Sequence, residues 1–181
     1  MNKKSLKYFC SINMGQSPKS TSYNKDKRGL PFYQGNADFG KIHPKTRFYC
    51  DNPIKIANKN DILISVRAPI GSLNIALNKC CIGRGLASIT PVSNCNMYYL
   101  FYALLSNVDK LQNLGTGTTF KAITKSVLEN LQIPYKSDSE QTKIANIFLK
   151  LDTLIQKRYI QIQALDQLVL SRFKGEHLWQ S

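Results

Sequence analysis

The run from Ser137 to Lys174, SDSEQTKIANIFLKLDTLIQKRYIQIQALDQLVLSRFK, decides the architecture of the chain. On a helical wheel its apolar residues recur at Ile144, Phe148, Leu151, Ile155, Ile162, Leu165 and Val169. The steps alternate between four and three, with Arg158 in the one gap, which is heptad spacing. Phe148, Ile155, Ile162 and Val169 hold one core position, and Ile144, Leu151 and Leu165 hold the other. β-Branched residues at the first position with leucine at the second favour a two-stranded pairing. Ile147, Leu154 and Leu168 widen the stripe toward a third surface. Ser137 with Glu140 forms a capping box, and Asp138 adds negative charge at the positive end of the helix dipole. Arg172 and Lys174 suit the opposite end, and Gly175 is placed to stop the helix. At about 1.5 Å per residue the span is roughly 55 Å. A domain this small cannot bury so long a stripe alone, so the helix needs a partner. Arg158, facing its own copy or a carboxylate such as Asp152 or Asp166, is placed to set register.

Charge separates this helix from the rest of the chain. The 181 residues carry a net charge of +14. Residues 1–136 hold nineteen Lys and Arg against six Asp and Glu, whereas residues 137–181 hold six against five. A basic body on a nearly neutral helix points to a polyanion, most simply nucleic acid. A solvated, lysine-rich surface gives the same count. The hydrophobic share of 43% is ordinary, so the body is expected to have a true core. The cysteines (Cys10, Cys50, Cys80, Cys81 and Cys95) are odd in number and form no CxxC pair, and His43 and His177 lie far from them. Reduced, buried thiols are expected, with no metal and no cofactor. No apolar stretch approaches transmembrane length and the start lacks a signal-peptide run, so the expected compartment is cytoplasmic, with no membrane partner.

The body reads as α+β. Residues 1–30 mix lysines with turn formers, and Gly15, Ser17 and Pro18 form a loop that carries Lys19. The segment 29–40, GLPFYQGNADFG, is strand-like and sets Gln34 and Asn36 among glycines that permit a close approach of backbone to a ligand, or simply make turns. Residues 47–50 and 62–67 are short β-rich runs, and 72–77 pairs with the second as a hairpin across the APIG turn. Residues 81–91, CIGRGLASITP, form a strand broken at Gly83 and Gly85. Arg67 and Arg84 each end a strand beside a glycine turn, from which a guanidinium reaches a base edge, a phosphate or a surface carboxylate. From Asn96 the pattern is helical and too apolar for a surface helix. Then Gly115 and Gly117 bracket a loop ending in Phe120 and Lys121, and Ser126 with Glu129 forms a second capping box. This loop lacks the lysine-serine/threonine pair of a nucleotide-binding loop, but Thr118, Thr119 and Lys121 suit backbone phosphates.

Residues 115–173, from GTGTTFKAITKSVLENLQIP through the EQ-x-x-I start at Glu140 to Ser171-Arg172-Phe173, resemble the specificity (S) subunit of type I restriction–modification systems. GLPFYQG (29–35), NDILISVRAPIG (60–71) and CIGRGLASI (81–89) resemble a target-recognition domain of the same family. The resemblance implies an α+β fold: a globular target-recognition domain (1–136) with a twisted β-sheet and helices, a long coiled-coil spacer helix (137–174) and a short tail (175–181). It implies a non-catalytic subunit that reads double-stranded DNA and directs methyltransferase and restriction/translocase subunits to a bipartite site. In this family two recognition domains and two spacers, paired antiparallel, usually share one chain. A single copy of each implies a half-size form or a fragment, completed as a homodimer or with a second half-subunit.

Two other classes are weighed against this reading. A methyltransferase needs an Asn/Asp-Pro-Pro-aromatic tetrad, and the nearest string is Asp51-Asn52-Pro53-Ile54. A metal nuclease needs spaced carboxylates with a lysine, and none stand at that spacing, so no catalytic residue is assigned. A dimeric transcription regulator shares the charge and the helix but would normally carry a helix-turn-helix signature. Arg67, Arg84, Gln34 and Asn36 are the candidates for base or groove contacts, and Lys19, Lys121, Thr118 and Thr119 those for phosphate. Ile144, Phe148, Leu151, Ile155, Arg158, Ile162, Leu165 and Val169 are the candidates for the helix interface.

Overall fold

The computed structural model describes residues 2–116 and 121–177, the last four as backbone only. The strands and helices run β1 (Lys3–Ser5), β2 (Cys10–Met14), β3 (Tyr23–Asn24), β4 (Leu30–Tyr33), β5 (Phe48–Cys50), β6 (Ile56–Ala57), β7 (Ile62–Ser65), β8 (Leu73–Ile75), β9 (Cys80–Ile82), β10 (Leu86–Pro91), α1 (Met97–Leu105), α2 (Val108–Leu114), α3 (Lys125–Glu129), β11 (Gln132–Pro134) and α4 (Asp138–His177). The chain divides into two units, Met1–Thr142 and Lys143–Ser181.

The first unit contains three sheets where the sequence suggests one. β2-β10-β7-β8 is antiparallel throughout, and β3-β5-β4-β9-β6 holds one parallel pair, β4 with β9. β1 pairs with β11, which ties the start of the chain to the segment just before α4. Residues 81–91 are therefore not one broken strand. The GRG turn at 83–85 carries the chain from β9 in one sheet to β10 in the other.

β7 and β8 form the expected hairpin, but neither has a wet face: Ile62, Leu63, Ile64 and Ser65 are fully buried. Asn74 shows how a polar residue survives there. Its Oδ1 accepts from Gly40 N–H at 3.0 Å and its Nδ2 donates to Gly40 O at 3.1 Å, so residues 40–43 cover this face. His43 belongs to the same cover, with Nδ1 2.8 Å from Ile75 O, which only accepts and so assigns the proton to Nδ1.

The apolar run after Asn96 is core, as its composition predicts: Tyr99, Leu100, Tyr102 and Leu104 are buried. It is two helices rather than one. Ser106 Oγ and Asn107 Nδ2 both donate to Ala103 O, at 2.9 and 2.8 Å, and compete with the helical ladder at that point. The cap of α3 also differs from expectation. Thr124 is the N-cap, accepting from Val127 N–H at 3.4 Å, while Ser126 is bonded by the Asn130 amide.

At the start of α4 the capping box forms as read. Glu140 Oε2 accepts from Ser137 N–H at 3.0 Å and from Ser137 Oγ at 2.8 Å, and Lys136 Nζ lies 3.2 Å from Oε1. The Ser137 backbone and hydroxyl donors, with Lys136, push the Glu140 carboxyl down to about 2 from its ordinary 4.5. A depressed carboxylate stabilises the fold fully above pH 4.5, and that contribution fades as the pH falls through 2. The Ser137 amide proton shift, followed by NMR, is expected to titrate with a midpoint near 2 and to lose that step in Glu140→Gln. A midpoint near 4.5 would mean that the box does not form. At the other end Gly175 does not stop the helix, which continues to His177.

The second unit is the rest of α4. Phe148, Leu151, Ile155, Ile162, Leu165 and Val169 are all exposed, Ile155 and Val169 by 60% and 66%. Ile144 is half-buried, and Arg158 Nη1 donates to Gln161 Oε1 at 3.2 Å. Ile147, Leu154 and Leu168 are exposed beside the heptad line.

Candidate nucleic-acid interface

The four- and five-stranded sheets of the first unit meet where three backbone segments cross with almost no room for side chains. Gly15 N–H donates to Leu86 O at 2.8 Å, Gly83 N–H to Tyr33 O at 2.8 Å, and Gly85 N–H to Gln34 O at 3.1 Å. A Cβ on Gly15 would overlap the carbonyl oxygen of Gly83 and lie 2.7 Å from that of Leu86. The glycines thus serve a close approach of chain to chain. Gly15→Ala is expected to destabilise by roughly 3 kcal/mol, because both neighbours are backbone and cannot step aside. Gly35→Ala is the control: nothing lies within 4 Å of its Cβ position. Urea midpoints of the two variants check this, and equal midpoints would contradict it.

This crossing aims the candidate residues. Leu86 pairs with Ser65, and Val66 N–H donates to Gly85 O at 2.9 Å. Arg67 and Arg84, one residue further along each strand, therefore leave the same end of this antiparallel pair, and both are exposed. Lys121 joins them: Ala68 N–H donates to Lys121 O at 3.2 Å, and Arg67 forms a bridge with Ala122. Among the described residues none of Lys19, Arg67, Arg84 and Lys121 is ion-paired. Their charge is available to a ligand.

Gln34 and Arg84 also line a cavity of about 390 Å³, together with Ser17, Tyr23, Phe32, Asp38, Arg47 and Phe48. Ser17 Oγ organises one wall. It receives Gln34 Nε2 at 2.8 Å and Arg84 N–H at 3.2 Å, and lies 3.1 Å from Gln34 Oε1. The Gln34 amide is thereby oriented rather than free to rotate. Tyr23 and Phe32 stack with centroids 4.6 Å apart, and the Tyr23 hydroxyl donates to Pro18 O at 2.9 Å. Burial pushes the Tyr23 phenol up, so it stays a neutral donor. Asp38 and Arg47 complete the rim as an ion pair.

Lys19 is exposed two residues beyond Ser17, where it opens the short 3-10 turn Ser20–Ser22. Asn36 begins the 3-10 turn Asn36–Asp38 and is half-buried outside the cavity lining. Thr118 and Thr119 lie outside the described residues. The structure thus gathers Gln34 with Arg84, and Arg67 with Lys121, along one edge. Sequence reasoning passed over Asp38 and Arg47. They lie nine positions apart, Asp38 at the end of a 3-10 turn after β4 and Arg47 just before β5, and only the five-stranded sheet brings them together. Among the described residues, no three His, Cys, Asp or Glu side chains gather in a group able to hold a metal ion. No helix among them is long and apolar enough to cross a membrane.

The sequence model of the type I restriction modification DNA specificity domain matches residues 1–164. A chain described as the MjaX type I restriction enzyme specificity subunit of Methanocaldococcus jannaschii is 48% identical over 151 residues, 83% of this chain and 35% of that one. The MjaIX specificity subunit of the same organism is 33% identical over 124 residues, 67% of this chain and 29% of its own. The chain therefore spans 35% and 29% of the length of these two curated relatives. The HsdS subunit from Thermoanaerobacter tengcongensis superposes with a TM-score of 0.78 at 41% identity, over 86% of this chain and 38% of that one. A chain from a structural study of the assembly and conformational transition of the type I R-M system superposes with a TM-score of 0.80 at 42% identity, over 86% of this chain and 39% of that one. With a family match covering most of its length, the chain belongs to the type I restriction–modification DNA specificity family.

Proposed function

We propose that the first unit reads one half of a bipartite double-stranded DNA site for a type I restriction–modification complex. The observation that carries this reading is the shared edge from which Arg67, Arg84 and Lys121 project without carboxylate partners among the described residues, beside the cavity lined by Gln34. Unneutralised cations supply sequence-independent phosphate affinity, and oriented polar groups beside them supply discrimination between bases. Lys19, Thr118 and Thr119 are further candidates for phosphate contacts, and Asn36 a further candidate for the groove.

In this reading α4 is the spacer. Its heptad line, the half-buried Ile144 with the exposed Phe148, Leu151, Ile155, Arg158, Ile162, Leu165 and Val169, pairs with the equivalent helix of a second recognition unit, either a copy of this chain or a different half-subunit. The flanking Ile147, Leu154 and Leu168 face the methyltransferase subunits. Methyl transfer and cleavage belong to those subunits and to the restriction/translocase subunit, and this chain supplies the address.

Selection from random-sequence duplexes tests the reading. The purified chain with a companion methyltransferase subunit is expected to enrich a motif of two short conserved blocks around an unconserved gap. Enrichment of a single continuous motif by the chain alone would favour a transcription regulator, and enrichment of none would contradict recognition.

A further inference from the structure

We infer that Arg47, held in place by Asp38, is a specificity-determining residue that reads the major-groove edge of one guanine in the half-site. The inference rests on the DNA-recognition reading above. Arg47 stands immediately before β5 at the rim of the cavity. Its Nε and Nη2 both donate to Asp38 Oδ1, at 2.8 and 2.5 Å. Asp38 is itself fixed: its side chain is 4% exposed, and its Oδ2 accepts from Gln34 N–H at 2.7 Å and Gly35 N–H at 3.4 Å. A carboxylate anchored by backbone thus clamps one side of the guanidinium.

The opposite side of the fork is open. Among the described residues nothing accepts from Nη1 or from the second Nη2 proton, and the Arg47 side chain is 54% exposed. Two parallel N–H groups in one plane match the O6 and N7 acceptors of guanine, whereas adenine offers a donor at the position of O6. Clamping removes rotamer freedom before binding, which raises the discrimination that the fork can deliver.

A phosphate is the competing ligand for any arginine fork. Here charge decides against it. Asp38 neutralises Arg47, so the pair offers a polyanion little net attraction, while Arg67, Arg84 and Lys121 have no ion-pair partner among the described residues. A neutralised but rigid fork is poor for affinity to a uniform backbone and well suited to telling one base edge from another.

The test measures binding to the duplex that the wild-type complex selects, with each guanine replaced in turn by 7-deazaguanine, which lacks N7. Wild type is expected to lose about tenfold or more at one guanine of each half-site. Arg47→Ala is expected to bind the unmodified duplex that much more weakly and to show no further loss at that guanine, with every other position unchanged. Arg47→Lys keeps the charge without the fork and should behave like Arg47→Ala at that position. Asp38→Asn should shrink the same penalty, as a positioning role requires. An unchanged 7-deaza profile in Arg47→Ala would overturn the inference while leaving DNA recognition intact. Equal weakening by Arg47→Ala on selected and unrelated duplexes would overturn it in favour of a phosphate contact. A wild-type complex with no sequence preference would remove the recognition reading and this inference together.

Discussion

Leu151→Asp combined with Ile155→Asp is expected to yield a folded protein that no longer associates through α4. Both side chains lie on the heptad line and are exposed, by 47% and 60%, so neither substitution removes packing within the single chain. Stability of the first unit should change little, since exposed substitutions away from caps and networks usually cost under about 0.5 kcal/mol. The effect falls on pairing. Burying a large aliphatic side chain contributes about 2 kcal/mol, and a carboxylate in its place must be desolvated without a partner. A symmetric pair loses four such contacts, roughly 8 kcal/mol, or more than about 10⁵-fold in Kd. Light scattering at micromolar concentration, on the chain alone for a self-pair or with its companion half-subunit for a mixed pair, should report wild type as a pair and the double variant as a single chain with unchanged circular dichroism. A double variant that remains paired would place the interface elsewhere.

Arg67→Ala with Arg84→Ala carries the second large effect. The two arginines leave one end of the β7–β10 pair, and neither has an ion-pair partner among the described residues. Each close arginine contact to a base edge contributes roughly 1–3 kcal/mol, so losing both should weaken DNA binding by about 100-fold or more. The salt dependence then sorts the contacts. If both reach phosphates, the slope of log K against log salt should fall by about 0.9 for each. If they reach bases, the slope should hold while the preference for the selected duplex over an unrelated one collapses. Affinity within about twofold of wild type would show that this edge does not meet DNA.

How much of this was readable in the sequence differs sharply between its two parts. The long helix α4 was legible because its signals are local: a seven-residue period, and a box closed between Ser137 and Glu140. Its C-terminal end was misread because a glycine at 175 permits a stop without imposing one. In the body, β-rich runs such as 62–65 announced themselves, but β1 and β2 did not. They are short, lysine- or serine-interrupted, and exist through partners about 75 to 130 residues away, Ile89 against Ile12 and Ile133 against Lys4.

The candidate interface follows the same rule. Arg67 and Arg84 stood out because each ends a strand beside a glycine turn, and the strand register then set them at one edge. Gln34 stands among glycines in the sequence, but the glycines that make close contact with its segment are Gly83 and Gly85, about fifty residues away in the chain. Arg47 and Asp38 carried no local signal. Their significance comes from a carboxylate buried by a 3-10 turn and a guanidinium delivered by a neighbouring strand, which is a property of the folded chain alone.

This chain is proposed to supply the sequence address of a methylating complex. Its most direct test is a methylome of cells that express a companion methyltransferase, with and without this gene. A two-part methylated motif is expected only when the gene is present, with inverted identical halves for a self-paired chain and unlike halves for a mixed pair. Identical methylation with and without the gene, or none in either case while the methyltransferase is shown to be expressed and active, would contradict it.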